Sequence, residues 1–243
     1  MNVFTTINPN GDIESQIYST DTWASKFKVY SVNTKEEILK IKDKFKNVEF
    51  IETDKIIDVN GKKLIKLNAI LDAIVMKKSK YSCITNSDII LDKSINPKRL
   101  FSKKHLDDGI IVSKRYELGG EKIYQFEDGY DLFVFDIKNI KIFYNEGFAL
   151  GMPWWDYWIP MMADRFLLKL YFTKNEVIYH KTHETNYSCD TWELFGTRFL
   201  AELINMGLKI SKKDGEKHFF ENNGQLCQVC KNFIESKKIS IKI

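Results

Sequence analysis

The chain has 243 residues, 44% hydrophobic and 29% charged, with four prolines and twelve glycines. This is globular composition, long enough for one α/β domain that needs no disulfide or structural metal, and it excludes long disordered linkers. A net charge of +4, from 37 Lys and Arg against 33 Asp and Glu, is too small and too evenly interleaved to mark a nucleic-acid surface.

Strand and helix signals alternate up to Leu91. Val3–Ile7 reads as a strand ending in the turn signal Asn8-Pro9-Asn10-Gly11. Asp12–Lys26 reads as a helix and Phe27–Val32 as a second strand. Asn33 or Thr34 can cap the next helix, with Glu36 and Glu37 favourably placed in its first turn. Val48–Glu52 is a third strand, Asp58–Gly61 a turn, and Leu64–Met76 a helix by the spacing of its apolar residues. Tyr81–Leu91 reads as a fourth, buried strand. This alternation predicts an α/β fold, a mostly parallel sheet with helices on both faces and ligands at the carboxyl ends of its strands. Thr5–Asn10, Ser31–Thr34, Glu52–Asp54 and Thr85–Asp88 would then lie together.

The second half is mixed. It carries helix signals over Asn96–His105, Asp164–Tyr171 and Thr191–Asn205, and strand signals over Gly109–Ser113, Lys122–Phe126, Tyr130–Asp136 and Glu176–Tyr179. The expected organisation is a single domain, 1–243. Residues 1–91 form its nucleotide half, 92–210 its acceptor half, and 211–243 a C-terminal extension.

No stretch reaches the ~18 apolar residues of a membrane-spanning helix, and the N-terminus lacks a signal-peptide pattern. The four cysteines suit a reducing compartment. Cys227 and Cys230 form one C-x-x-C with only His218 near it, too few ligands for a zinc site. A cytoplasmic protein is expected. Lys231, Lys237, Lys238 and Lys242 leave open a weak contact with an anionic membrane surface.

Three segments carry chemistry-bearing side chains. In Asn86-Ser87-Asp88 an apolar strand ends in oxygen-bearing residues, and Asn86 and Asp88 point to one side. Hard cations such as Mg²⁺ or Mn²⁺ take such ligands together with substrate phosphates, although a strand-ending Asx turn accounts for the same residues. In Trp154-Trp155-Asp156-Tyr157-Trp158 the aromatic rings suit the apolar faces of sugars. Asp156 among them is desolvated, which raises its pKa toward that of a general base; the alternative is a core helix start. In Tyr179-His180-Lys181-Thr182-His183 the two imidazoles suit Mn²⁺. Arg115 has paired donors that suit a diphosphate, or lies on the surface. Asp54 is placed to accept from a base or ribose hydroxyl.

Taken in order, Val3–Asn8, Gly61–Leu91, Trp155–Trp158 and Tyr179–His183 resemble GT-A-type glycosyltransferases, in particular the large inverting family related to polysaccharide synthases. The resemblance implies that Thr5, Thr6 and Asn8 end the nucleotide-contacting first strand. It puts Lys66, Asn68, Asn86 and Ser87 at the donor. Asp156 takes the place of the base that deprotonates the acceptor hydroxyl. Asp88 with His180 or His183 takes the place of the metal ligands. It implies a nucleoside diphosphate sugar donor, Mn²⁺ or Mg²⁺, and a glycan, glycoprotein or glycolipid acceptor. Asn86 departs from the family's usual Asp, keeping the oxygen and losing the charge. A carbohydrate-binding module without turnover and a sugar-phosphate nucleotidyltransferase are the rival readings. The latter is disfavoured because Asn8–Asp12 has one glycine and no basic residue.

Overall fold

The computed structural model describes residues 1–59, 61–119, 122–183, 187–207 and 223–243. The chain opens with β1 (Asn2–Thr5), α1 (Ile13–Ala24), β2 (Lys28–Asn33), α2 (Lys35–Ile41) and β3 (Val48–Glu52). A hairpin of β4 (Ile56–Val59) and β5 (Lys62–Ile65) leads into α3 (Leu67–Lys77), β6 (Tyr81–Thr85) and β7 (Ile89–Leu91). Then come α4 (Pro97–Leu100), α5 (Lys103–Leu106), β8 (Gly109–Ser113), β9 (Tyr116–Glu117), β10 (Tyr124–Gln125) and β11 (Leu132–Asp136). After a 3-10 segment (Ile137–Phe143) follow α6 (Trp155–Arg165), β12 (Lys169–Thr173), β13 (Ile178–His180), α7 (Cys189–Asn205), α8 (Asn223–Ser236) and β14 (Lys238–Ile241).

Eight strands form the central sheet in the order β14-β12-β8-β11-β6-β1-β2-β3. All its pairings are parallel except the two of β11, which runs against β6 and β8. Period-two alternation divides the strand residues between two cores. Phe4, Ile84, Val112 and Phe133 pack with α3 and α6 on one face, while Val3, Cys83, Ile111 and Val134 pack with Trp23 of α1 on the other. The architecture is the expected mixed α/β domain with a mostly parallel sheet between helices. A second sheet, β10-β9-β13-β7, lies beside the first.

Several boundaries differ from expectation, each for a local reason. Tyr81–Leu91 is two strands in two sheets. The backbone turns at 86–88, where the Ile89 N–H donates to the Asn86 carbonyl at 3.3 Å. β4 and β5 pair as a hairpin, with Gly61 at φ +81°, so the helix expected from Leu64 begins at Leu67. The segment 96–105 is broken into two short helices, the first capped by the Asn96 side chain, which accepts from the Lys98 N–H. The helix expected over Asp164–Tyr171 is instead the end of α6, a left-handed Leu167 at φ +62°, and β12, whose Leu170 and Phe172 enter the core.

Within the expected extension 211–243, the described residues 223–243 are built into the domain. β14 pairs with β12 as the edge of the central sheet, and α8 packs Leu226, Cys230 and Ile234 into the main core. Three of the four lysines considered for a membrane surface are engaged, Lys231 with Asp128, Lys237 with Asp164 and Lys238 with Glu235. His218 lies outside the described residues, and Cys227 and Cys230 are free thiols. Among the described residues, no helix is long and apolar enough to cross a membrane.

Candidate functional site

A cavity of about 1220 Å³ opens beyond the carboxyl ends of β1 and β6. Its walls come from the 6–12 loop, the start of α2, the 86–88 turn, the 128–131 segment, the start of α6 and one face of α8.

Asp88, His180 and His183 meet at one side of this cavity. The Asp88 Oδ2 lies 3.3 Å from His183 Nε2 and 3.6 Å from His180 Nε2, and the two Nε2 atoms are 3.1 Å apart. The small sheet builds the cluster. In its register His180 pairs with Ile89, the residue after Asp88, on one side and with Glu117 on the other. Burial would push the Asp88 carboxyl up, but the two histidines outweigh it and hold it well below the ordinary carboxylate range. Burial would push His180 down, and Asp88 and Glu117 outweigh it and raise it. Two imidazoles and a carboxylate converging in this way form a donor set able to hold a divalent cation such as Mn²⁺.

A buried ionic chain runs from this cluster across the cavity. Glu117, 3% exposed, lies 3.0 Å from His180 Nδ1 through Oε2 and accepts from Arg115 Nε through Oε1 at 2.6 Å. Arg115 also donates to both oxygens of Asp131, at 2.9 and 3.1 Å, and its guanidinium stacks on Phe126 at 3.9 Å. Arg115 is therefore a strut between two buried carboxylates, rather than the free diphosphate clamp that its paired donors suggested. Burial pushes Asp131 up against the pull of Arg115. Asp156, in the first turn of α6, is pushed up to about 7, by burial first and then by the Asp131 charge. Its Oδ2 accepts from the Tyr130 N–H at 3.2 Å. A Cβ on Gly129 would sit 3.1 Å from that oxygen, so glycine there permits the close approach. Such a carboxyl is suited to exchanging a proton near neutral pH.

The opposite end is held by buried amides. Gln16 of α1 accepts from the Asn8 N–H at 2.8 Å and from Ser87 Oγ at 2.7 Å, and donates to the Asn8 carbonyl at 3.0 Å. Ser31 Oγ accepts from the Ile7 N–H, and Asn33 donates to the Ile7 carbonyl. The loop after β1 is thus fixed to α1, β2 and the 86–88 turn.

Of the residues singled out from sequence, Thr6, Asn8, Asn86, Ser87, Asp88, Arg115, Trp154, Trp155, Asp156, Tyr157, His180 and His183 line the cavity. Asn86 turns its amide toward Asp131, at 3.5 Å, instead of flanking a cation with Asp88. Thr5, Asp54, Lys66, Asn68 and Trp158 lie outside the lining. Thr5 is 1% exposed beneath the cavity, and Asp54 faces solvent past β3. Lys66 and Asn68 both bind Glu146, at 2.7 Å, and Asn68 accepts from the Asn145 N–H. They fasten the 145–150 loop, whose Phe148 carbonyl accepts from Leu67 N–H. Trp158 is a core residue that donates to the Phe143 carbonyl at 2.9 Å. Trp154 packs at a tilt on Trp192 and Phe199, while Trp155 meets Phe133 and Tyr157 meets Tyr130 near edge-on, so these buried rings are largely engaged in packing.

Sequence reasoning missed Gln16, Glu117 and Asp131. Arg115 and Glu117 stand two apart in an extended segment, a spacing that puts opposite charges on one face and signals their pairing. Gln16 carried no signal.

The arrangement of these strands, with one antiparallel member and a cavity at the carboxyl ends, defines a GT-A-like fold. Similar solved structures are those of S. aureus TarS, residues 1–349. The complex with UDP-GlcNAc has a TM-score of 0.56 at 12% identity over 96% of this chain and 70% of that one. The complex with UDP has 0.51 at 11% identity over the same shares, and a further structure of the same residues 0.52 at 13%, over 84% and 65%. At this identity the likeness is one of fold. No protein-family model matches the sequence, and no curated protein matches it significantly.

Proposed function

We propose that the chain is a glycosyltransferase, moving a sugar from a nucleoside diphosphate sugar to an acceptor hydroxyl with inversion, aided by a divalent metal. The observation that carries this reading is one cavity flanked by the Asp88–His180–His183 cluster and by Asp156, the carboxyl pushed up to about 7. The fold likeness to a protein crystallised with UDP-GlcNAc and with UDP supports a nucleotide-sugar donor.

Asp88, His180 and His183 would hold Mn²⁺ or Mg²⁺, which when bound neutralises charge developing on a departing diphosphate. The loop at Thr6–Asn8, fixed by Gln16 and Ser31, would seat the nucleotide. Asp156 in its ionised form would take the proton of the acceptor hydroxyl at Oδ1 or Oδ2. The oxygen would then attack the anomeric carbon from the face opposite the leaving group, and the configuration inverts. The buried Trp154, Trp155 and Tyr157 beside it would exclude water around that carboxylate.

The test is a panel of nucleoside diphosphate sugars, first by thermal stabilisation and then by transfer to glycan acceptors with Mn²⁺. A donor at one hundred times its Kd stabilises the folded chain by about 2.7 kcal/mol. NMR of the product reads the anomeric configuration. No stabilisation by any nucleotide sugar, or full transfer by Asp156→Asn, overturns the reading.

A further inference from the structure

The metal reading names three ligands but leaves open what makes His180 present Nε2 rather than Nδ1. We propose that Glu117 is a positioning residue which, by accepting from Nδ1–H of His180, keeps Nε2 as the atom turned to Asp88 and His183 for a divalent cation. The inference rests on the metal site proposed above.

The geometry begins in the backbone. β9 and β13 run parallel with Glu117 opposite His180, so the two side chains leave the small sheet on the same face. The Leu118 N–H donates to the His180 carbonyl at 2.8 Å and locks that register. A Cβ on Gly119 would meet the Thr182 side chain at 2.5 Å, so glycine lets the 180–183 segment pass close to β9.

The hydrogen bonds then leave one arrangement. Glu117 Oε1 accepts from Arg115 Nε at 2.6 Å, and Oε2 accepts from Thr182 Oγ1 at 2.8 Å. An ionised carboxylate only accepts, so His180 Nδ1, 3.0 Å from Oε2, carries hydrogen. In the neutral ring Nε2 is then a lone-pair donor to metal. It faces Asp88 Oδ2 at 3.6 Å and His183 Nε2 at 3.1 Å. A carboxylate behind a ligating imidazole is a recurrent device for fixing its tautomer and orientation.

Glutamine cannot substitute. Its amide has one acceptor oxygen and one N–H₂ group, whereas Glu117 meets donors at both oxygens. If the oxygen goes to Arg115, the N–H₂ faces His180 and drives the proton to Nε2. If it goes to His180, Arg115 loses its partner and the strut loosens.

The experiment uses the full chain and its Glu117→Gln variant. Mn²⁺ affinity is read by calorimetry, and imidazole protonation by long-range ¹⁵N–¹H NMR of the metal-free protein. Unfolding midpoints in chelator report folding. His180 of the wild type is expected to be protonated at Nδ1, and the variant to bind Mn²⁺ ~10–100-fold more weakly. Equal Mn²⁺ affinity in the two proteins, or wild-type His180 protonated only at Nε2, overturns the inference. No Mn²⁺ binding by the wild type overturns the metal site itself. The tautomer is read on the wild type, so the inference stays testable if the variant folds poorly.

Discussion

Replacing Asp156 by asparagine should slow transfer and stabilise the protein at alkaline pH. The carboxyl is pushed up to about 7 by burial and by Asp131, against about 3.9 in an unfolded chain. A carboxyl raised on folding contributes stability that is full below the unfolded value and is lost as pH rises through about 7. Between pH 5 and pH 8 the wild type should lose about 2.5 kcal/mol through this group alone. The amide introduced by Asp156→Asn keeps an oxygen for the Tyr130 N–H and has no charge to desolvate, so the variant should lack this loss. For a chain of this length the difference between the two proteins' unfolding midpoints should grow by ~5–10 °C over that interval. Transfer by the wild type should rise with pH through about 7, since the ionised form accepts the proton. The variant should be slower by ~10²–10⁴-fold. Thermal unfolding at pH 5 and 8, beside a pH–rate profile, makes the check. Midpoints that move in parallel for the two proteins would refute the burial argument, and a flat profile would refute the assignment of the base.

Three further variants separate structural from binding roles. Arg115→Met leaves the buried Glu117 and Asp131 without their shared cation. It should cost about 3–5 kcal/mol in urea unfolding, and a loss of donor affinity without that destabilisation would favour a direct diphosphate contact instead. Lys66→Ala removes an ion pair to the largely exposed Glu146; stability should change by less than ~1 kcal/mol and the donor Kd, by calorimetry, not at all. Trp158→Phe leaves the Phe143 carbonyl without its indole donor; it should destabilise by about 1–3 kcal/mol and leave the acceptor KM unchanged.

The fold was legible where short-range pattern decides it. Val3 and Phe4, or Cys83 and Ile84, go to opposite cores as period-two alternation requires. Asp156 among aromatics was legible because desolvation follows from composition alone. Lys66 and Asn68 were misread because a resemblance supplied a donor role, while their own hydrogen bonds go to Glu146 and Asn145, far along the chain. Glu117 and Gln16 escaped notice for a related reason. Their partners, His180 and Ser87, are brought to them by sheet register and helix docking, which no local window contains. Trp158 shows the limit of composition: four aromatics around one Asp suggested a sugar platform, but the helical period turns that ring into the core.

The break at Asn86–Asp88 has the largest consequence for the site. Had Tyr81–Leu91 continued as one strand, Asp88 would extend the central sheet beyond β6, away from the partners of the small sheet. The chain instead leaves that sheet at Thr85 and enters β7, where Trp23 of α1 donates to the Ile89 carbonyl at 2.7 Å and Thr22 accepts from the Leu91 N–H. β7 then pairs with β13, and that pairing sets His180 beside Asp88. The strand-ending turn and the proposed ligand Asp88, alternatives when the segment is read by itself, occur together in the folded chain, the turn being closed by the bond from the Ile89 N–H to the Asn86 carbonyl. The turn carries the backbone out of one sheet so that its own carboxylate, Asp88, can meet the histidine of another.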